Sequence, residues 1–191
     1  GGRGHGRASG MNDGGRSWQI VEADMPPALP GEFAFAASGQ CLTVAGGRDA
    51  WFGTGGDVVA RVFHSGDRGR TWTVANTPIR STVSGGISAL AFRDPRHGIA
   101  VGGDFDPAAA SVDTLALTKD GGATWQLNLN APDELRSGAH WVTGTDAIIV
   151  GQSGSDVSFD QGQTWHGFDE GSFDVVDCAG GFACWAAGAQ G

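Results

Sequence analysis

Short runs of alternating apolar and polar residues, four to eight long, are separated along this chain by corners rich in Gly and Asp. In one stretch "ISALAFRD" alternates, "HGIAVGGDF" follows as a second run, "TLALTKD" leads into a charged turn, and "TWQLNLN" completes the set. A period of two over such lengths predicts β-strands, and the Gly/Asp corners predict antiparallel reversals between them. The pattern therefore predicts a unit of four antiparallel strands, repeated.

The turn between the third and fourth runs is written four times, in "MNDGGRSWQI", "HSGDRGRTWTV", "LTKDGGATWQL" and "VSFDQGQTWHG". We call this eight-residue repeat the box. Its Asp stands at Asp13, Asp67, Asp120 and Asp160, and its Trp at Trp18, Trp72, Trp125 and Trp165. Intervals of 54, 53 and 40 residues suit propeller blades. The box reads as turn chemistry. Its Asp is expected to accept hydrogen bonds from amides one and two residues on. Its Gly (Gly15, Gly69, Gly122 or Gly162) supplies positive φ, and Ser17, Thr71, Thr124 or Thr164 satisfies a further turn group. The Trp is expected to open the fourth strand and pack between sheets. No box places a base beside a nucleophile, so its expected role is structural.

Composition narrows the function. The 191 residues hold 34 Gly, 7 Trp and 10 Phe but no Tyr. The net charge of −9 repels phosphate backbones and speaks against nucleic-acid binding. No apolar run reaches the roughly 18 residues of a membrane span. Of three cysteines, Cys178 and Cys184 flank Gly180 and Gly181, which read as a two-residue hairpin turn. That register puts Cys178 opposite Ala183, with Cys184 one position diagonal and close enough for a disulfide if the hairpin shifts slightly. Such a bond implies an oxidising, extracytoplasmic compartment. The start, "GGRGHGRASG", shows no signal peptide and reads as a cut end, with 1–8 disordered or truncated.

The box, Ser/Thr-x-Asp-x-Gly-x-Thr/Ser-Trp, resembles the Asp-box, or bacterial neuraminidase repeat, of sialidases and sortilin-type receptors. Three copies fit fully, and the first has Met11 at the hydroxyl position. The stretches "WFGTGG", "ARVFHSGDRGRTWTV" and "GISALAFRDPRHGIAVGGDF" are similar to a group of secreted bacterial and plant propellers described as oxidoreductase-like or as photosystem II stability and assembly factors. The resemblance covers about residues 9 to 190. It implies an all-β propeller of four-stranded antiparallel blades, with residues 9–191 as one domain holding about four blades' worth of chain. The chain starts on a third strand and ends on a second, so 171–191 and 9–24 are complementary and can share a blade. The competing reading is an arc of a ring of about seven blades.

In a propeller, the loops joining strands two to three, and four to the next strand one, share the face opposite the boxes. These loops are the longest and least regular here, and loops on a rigid scaffold tend to carry function. Their candidate ligand- or partner-binding residues are Glu32, Arg61, Arg80, Asp104, Asp106, Arg136 and Asp156, all expected to be exposed. The expected function is a monomeric, non-enzymatic extracytoplasmic scaffold that recognises a protein or glycan through this face. A sialidase-like glycoside hydrolase is the alternative. It would lack the Tyr nucleophile of sialidases, so Arg61, Arg80 and Arg136 would have to imitate the substrate clamp and Asp104 with Glu32 the paired carboxylates. His64 and His97 read as surface residues, and His140 and His166 lack zinc spacing, so no metal or cofactor is expected. "GGRGHG" follows no strand, and "GTGGDV" leads into one, so neither fits a dinucleotide site.

Overall fold

The computed structural model describes residues 8–10, 15–21, 23–36, 39–56, 58–180 and 183–189. Met11, Asp13 and Gly181 lie outside the described residues. Three four-stranded antiparallel sheets form the body among them. The first blade is β3 (Leu42–Ala45), β4 (Asp49–Gly53), β5 (Arg61–Ser65) and β6 (Thr73–Asn76). The second is β7 (Gly85–Phe92), β8 (Gly98–Asp104), β9 (Leu115–Thr118) and β10 (Gln126–Leu127). The third is β11 (Gly138–Trp141), β12 (Ala147–Gly151), β13 (Gly154–Ser158) and β14 (His166–Asp169). Each strand pairs with its successor in sequence, which is the meander of a propeller blade.

Two hairpins flank the body: β1 (Ala8–Gly10) with β2 (Gln19–Val21), and β15 (Val175–Ala179) with β16 (Ala183–Ala187). They are separate two-stranded sheets, so the shared blade that their phases allow is not formed by these strands. Instead β15 packs against β11. The segment after β2 is tied to the first blade, where the Asp24 amide donates to the Arg70 carbonyl at 2.9 Å and the Trp72 amide donates to the Asp24 carbonyl at 2.8 Å.

Strand periodicity explains the core. In the middle blade Leu90, Ala100 and Ala116 face the first blade, while Ala89, Ile99, Val101 and Leu115 face the third. β8 is buried along its whole length because it has a neighbour on both faces. The small Ala100 and Ala116 leave room for Trp51, which projects into the same cluster from the first blade. Gly53 serves the same approach: a Cβ there would stand 2.4 Å from Ile87 Cγ2.

At the axis, Gln40 ties three innermost strands together. Its carbonyl accepts the Leu90 amide at 3.0 Å. Its side-chain Nε2 donates to the Val176 carbonyl at 2.9 Å and the Ala139 carbonyl at 3.4 Å, and its Oε1 accepts the amides of Ala139 and Val176. One side-chain amide thus acts as a peptide unit between the free edges of β11 and β15. Gly138 makes this possible, since a Cβ there would lie 2.8 Å from Gln40 Oε1.

The hairpin register departs from expectation. Cys178 is opposite Cys184 and Ala179 opposite Ala183, with three residues rather than two between the strands. The extra residue brings the cysteines face to face, and they form a disulfide.

Candidate functional site

The boxes hold their shape in a way the sequence only partly predicts. Asp67 Oδ1 accepts the amides of Arg70 and Thr71, each at 2.9 Å, and Oδ2 accepts the Thr71 hydroxyl at 2.7 Å. Asp160 repeats this with Gln163 and Thr164. The amides are therefore three and four residues on, not one and two. The cause is backbone curl: Arg68 and Gly69 both have positive φ, 65° and 81°, as do Gln161 and Gly162 at 66° and 80°. Two successive left-handed residues turn the later amides back onto the carboxylate. The leading hydroxyl has a role too: the Gly69, Gly122 and Gly162 amides donate to Ser65, Thr118 and Ser158 Oγ atoms. Each of Trp72, Trp125 and Trp165 donates its indole N–H to the carbonyl of its own box Gly. Trp72 is buried and Trp125 and Trp165 half-buried, but Trp18, expected between sheets, is 66% exposed.

These bonds favour the ionised Asp. Asp67 is pushed down to about 2 by the amide and hydroxyl of Thr71, and Asp160 to about 2 by the hydroxyl and amide of Thr164. Asp120 is lowered chiefly by the Thr124 hydroxyl. With the folded pKa below the unfolded value near 4, the boxes contribute stability above about pH 4 that fades as pH falls toward about 2. Asp120→Asn should therefore cost about 1 kcal/mol at neutral pH, small because the turn is solvated. It should also flatten the acid limb of stability below about pH 4, a difference that urea melts across the acid range would reveal.

On the opposite face, five of the seven candidate residues are not exposed as expected. Arg61 is buried, with Nε donating to Glu32 Oε1 at 2.8 Å and Nη2 bound to Glu32 Oε2 and to the Pro27 carbonyl. The Thr54 hydroxyl also donates to Glu32 at 2.7 Å, and the Glu32 side chain is 4% exposed. Arg136 and Asp156 form a second buried pair, Nη2 to Oδ2 at 2.7 Å. Asp104 is buried and accepts the hydroxyls of Ser84 and Thr82. Charged groups taken from water need such partners, and these loops supply them from neighbouring strands. Asp106 and Arg80 remain exposed. Among the described residues Arg61, Arg80 and Arg136 have no partner in common, so these assemble no clamp there.

The carboxylates also fail an acid/base test. Burial works to raise Glu32, but bonds from Arg61, Thr54 and the Leu29 amide hold it below its ordinary value. Burial likewise works against the Ser84 and Thr82 hydroxyls at Asp104, and the hydroxyls prevail. Both stay ionised at neutral pH, whereas a two-carboxylate glycosidase needs one held protonated.

Concavity lies elsewhere. A cavity of about 940 Å³ runs along the axis and opens toward the box side. Its walls come from β3, β7, β11 and β15, with Thr43, Arg93, Asp94, His140, Trp141 and Asp177 among the lining residues. His140 Nδ1 faces Asp177 at 3.1 Å, and the Arg93 guanidinium lies 5.0 Å from the Trp141 ring centre. His64 and His97 also have carboxylate partners, Asp49 and Asp94, each at 2.9 Å. Nothing local in the sequence marked Gln40, Arg93 or Trp141 as axial residues. Among the described residues no three His, Cys, Asp or Glu side chains gather as a metal site.

Meandering four-stranded blades about an axial cavity define a β-propeller. No protein-family model matches the sequence, and none of the curated proteins does. Solved structures do match. A structure of YCF48 bound to a D1 peptide superposes with a TM-score of 0.54 at 15% identity, over 88% of this chain and 53% of that one. The GH74 enzyme of Niastella koreensis gives 0.54 at 12% identity, over 72% of this chain and 24% of its own. The chain thus spans about half the YCF48 structure and about a quarter of the GH74 one. At these identities the likeness is one of fold.

Proposed function

We propose that this chain is a non-enzymatic binding propeller that works outside the cytoplasm and takes a protein segment into its axial cavity. The observation that carries the reading is the cavity itself. At about 940 Å³ it is roomy enough for several side chains, and it combines aromatic walls with a few charged groups. The chain's candidate carboxylates are committed to internal bonds, which favours binding over hydrolysis. The YCF48 structure, of the same fold, was obtained with a peptide. The Cys178–Cys184 disulfide supports an oxidising compartment.

Gly144 offers the test, because it lines the cavity and a Cβ there meets nothing within 4 Å. Linear peptides selected from a random library should bind the chain saturably. Gly144→Trp should abolish that binding without lowering the melting temperature. Fluorogenic glycosides should show no turnover, and protein from a periplasm should resist alkylation at Cys178 and Cys184 until reduced. Peptides that bind Gly144→Trp as well as the parent chain would refute the axial site. Glycoside turnover lost in Asp104→Asn would replace this reading with the hydrolase one.

A further inference from the structure

A second concavity lies on the outer flank where the second and third blades meet. Two hollows, of about 410 and 140 Å³, share Leu117, Lys119 and Gln163 and so form one groove. Trp125 stands in the larger hollow and Trp141 in the smaller. Both blades are complete, so the groove does not depend on the flanking hairpins.

Its chemistry is unlike the rest of the molecule. Lys119 is the only lysine of a chain with net charge −9, and it is exposed with no acidic partner among the described residues. Arg93 lines the box end, with its guanidinium bonded to the Gly144 carbonyl and the Gln161 side chain and lying beside Asp94. The one carboxylate of the lining, Asp160, has its oxygens taken by Ser158, Gln163 and Thr164. The side-chain amides of Gln126 and Gln163 hold no bond among the described residues, and each offers both donors and an acceptor. Leu129, 85% exposed, adds an apolar edge.

We propose that this groove binds an oligosaccharide that carries carboxylates. The Lys119 ammonium pairs with a carboxylate, the two glutamine amides meet sugar hydroxyls, and Trp125 and Leu129 cover an apolar face of a ring. The combined volume falls in the range of small-ligand sites. An acidic peptide is the rival occupant, and the outer strand argues against it. β10 is two residues long, and past it the Asn128 and Asn130 side chains clasp the Gln163 carbonyl, which leaves little strand edge for a peptide to extend.

The experiment titrates the purified chain with trigalacturonate, its full methyl ester and tetraglutamate, following tryptophan fluorescence and calorimetry. Trigalacturonate should bind with one-to-one stoichiometry, about tenfold or more tighter than the ester, in keeping with a charged hydrogen bond. Its affinity should fall as salt rises. Lys119→Gln should weaken it about tenfold and Lys119→Arg should retain it, with both melts unchanged. Gln163→Ala should weaken ester and acid alike. Failure of trigalacturonate to bind, equal binding of the ester, tighter binding of tetraglutamate, or a silent Lys119→Gln would each overturn the proposal. Lys119 and Gln163 line the groove and not the axial cavity, so Lys119→Gln and Gln163→Ala test the groove apart from the axial site.

Discussion

Arg136→Ala should destabilise the fold by about 3–5 kcal/mol, the usual result of removing one partner of a buried ion pair. The Arg136 side chain is 5% exposed. Its Nε and Nη2 bind Asp156 Oδ2 at 2.8 and 2.7 Å, and its Nη1 reaches Glu134, Ser153 and the Leu135 carbonyl. Without the guanidinium, the Asp156 carboxylate, 10% exposed, is left in a poorly solvated place with no counter-charge. The backbone here is also a joint between blades. The Arg136 amide donates to the Gly102 carbonyl at 3.1 Å, and its carbonyl accepts the Ser88 hydroxyl at 2.6 Å. Disorder at this side chain therefore loosens the contact between the second and third blades.

Two further variants separate this account from a general sensitivity of the loop. Glu134→Ala should cost less than about 1 kcal/mol, because that carboxylate is 51% exposed. Arg136→Ala combined with Asp156→Ala should be more stable than Arg136→Ala alone, since no orphaned charge remains. Urea melts read all three. A loss below about 1 kcal/mol for Arg136→Ala would mean that water reaches Asp156 and that the pair is a surface feature after all.

The contrast with expectation at Arg136 shows where sequence reasoning ends. Strand alternation and turn chemistry are local, and the four runs from "ISALAFRD" to "TWQLNLN" correspond to β7 through β10. The box is local too, although its hydrogen-bond reach of three to four residues depends on left-handed conformations at Arg68 and Gln161 that their side chains do not advertise. Burial of the charged loops is not local. Arg61 finds Glu32 at a separation of 29 residues and Arg136 finds Asp156 at 20, so their polarity alone predicts exposure. Gln40 is further out of reach, with partners 99 and 136 residues away across two blades. The disulfide hairpin fell between these cases: the Gly-Gly signal located the turn, but one added residue reset the register.

Trp51→Ala should produce a loss of about 3–5 kcal/mol, and a larger one than truncation of any box tryptophan. Trp51 is 0% exposed and lies flat against Phe92, with ring centres 3.8 Å apart and planes within 9°. His64 stacks on it at 4.8 Å. Its Nε1 donates to the Gly121 carbonyl at 2.8 Å, so this one side chain joins the first blade both to the inner strand and to the box turn of the second. Trp125 reaches the same cluster only at its margin, edge-on to Phe92 at 6.1 Å and half-buried. Trp125→Ala should accordingly cost about 2 kcal/mol, near the lower end for a core truncation. Trp51→Phe divides the larger effect: it keeps most of the apolar contact but orphans the Gly121 carbonyl, at a cost of about 1–2 kcal/mol. Chemical denaturation of the three variants gives the order directly. If Trp125→Ala matches or exceeds Trp51→Ala, the boxes rather than the ring stack between blades dominate the core, and the packing scheme drawn around Trp51 is wrong.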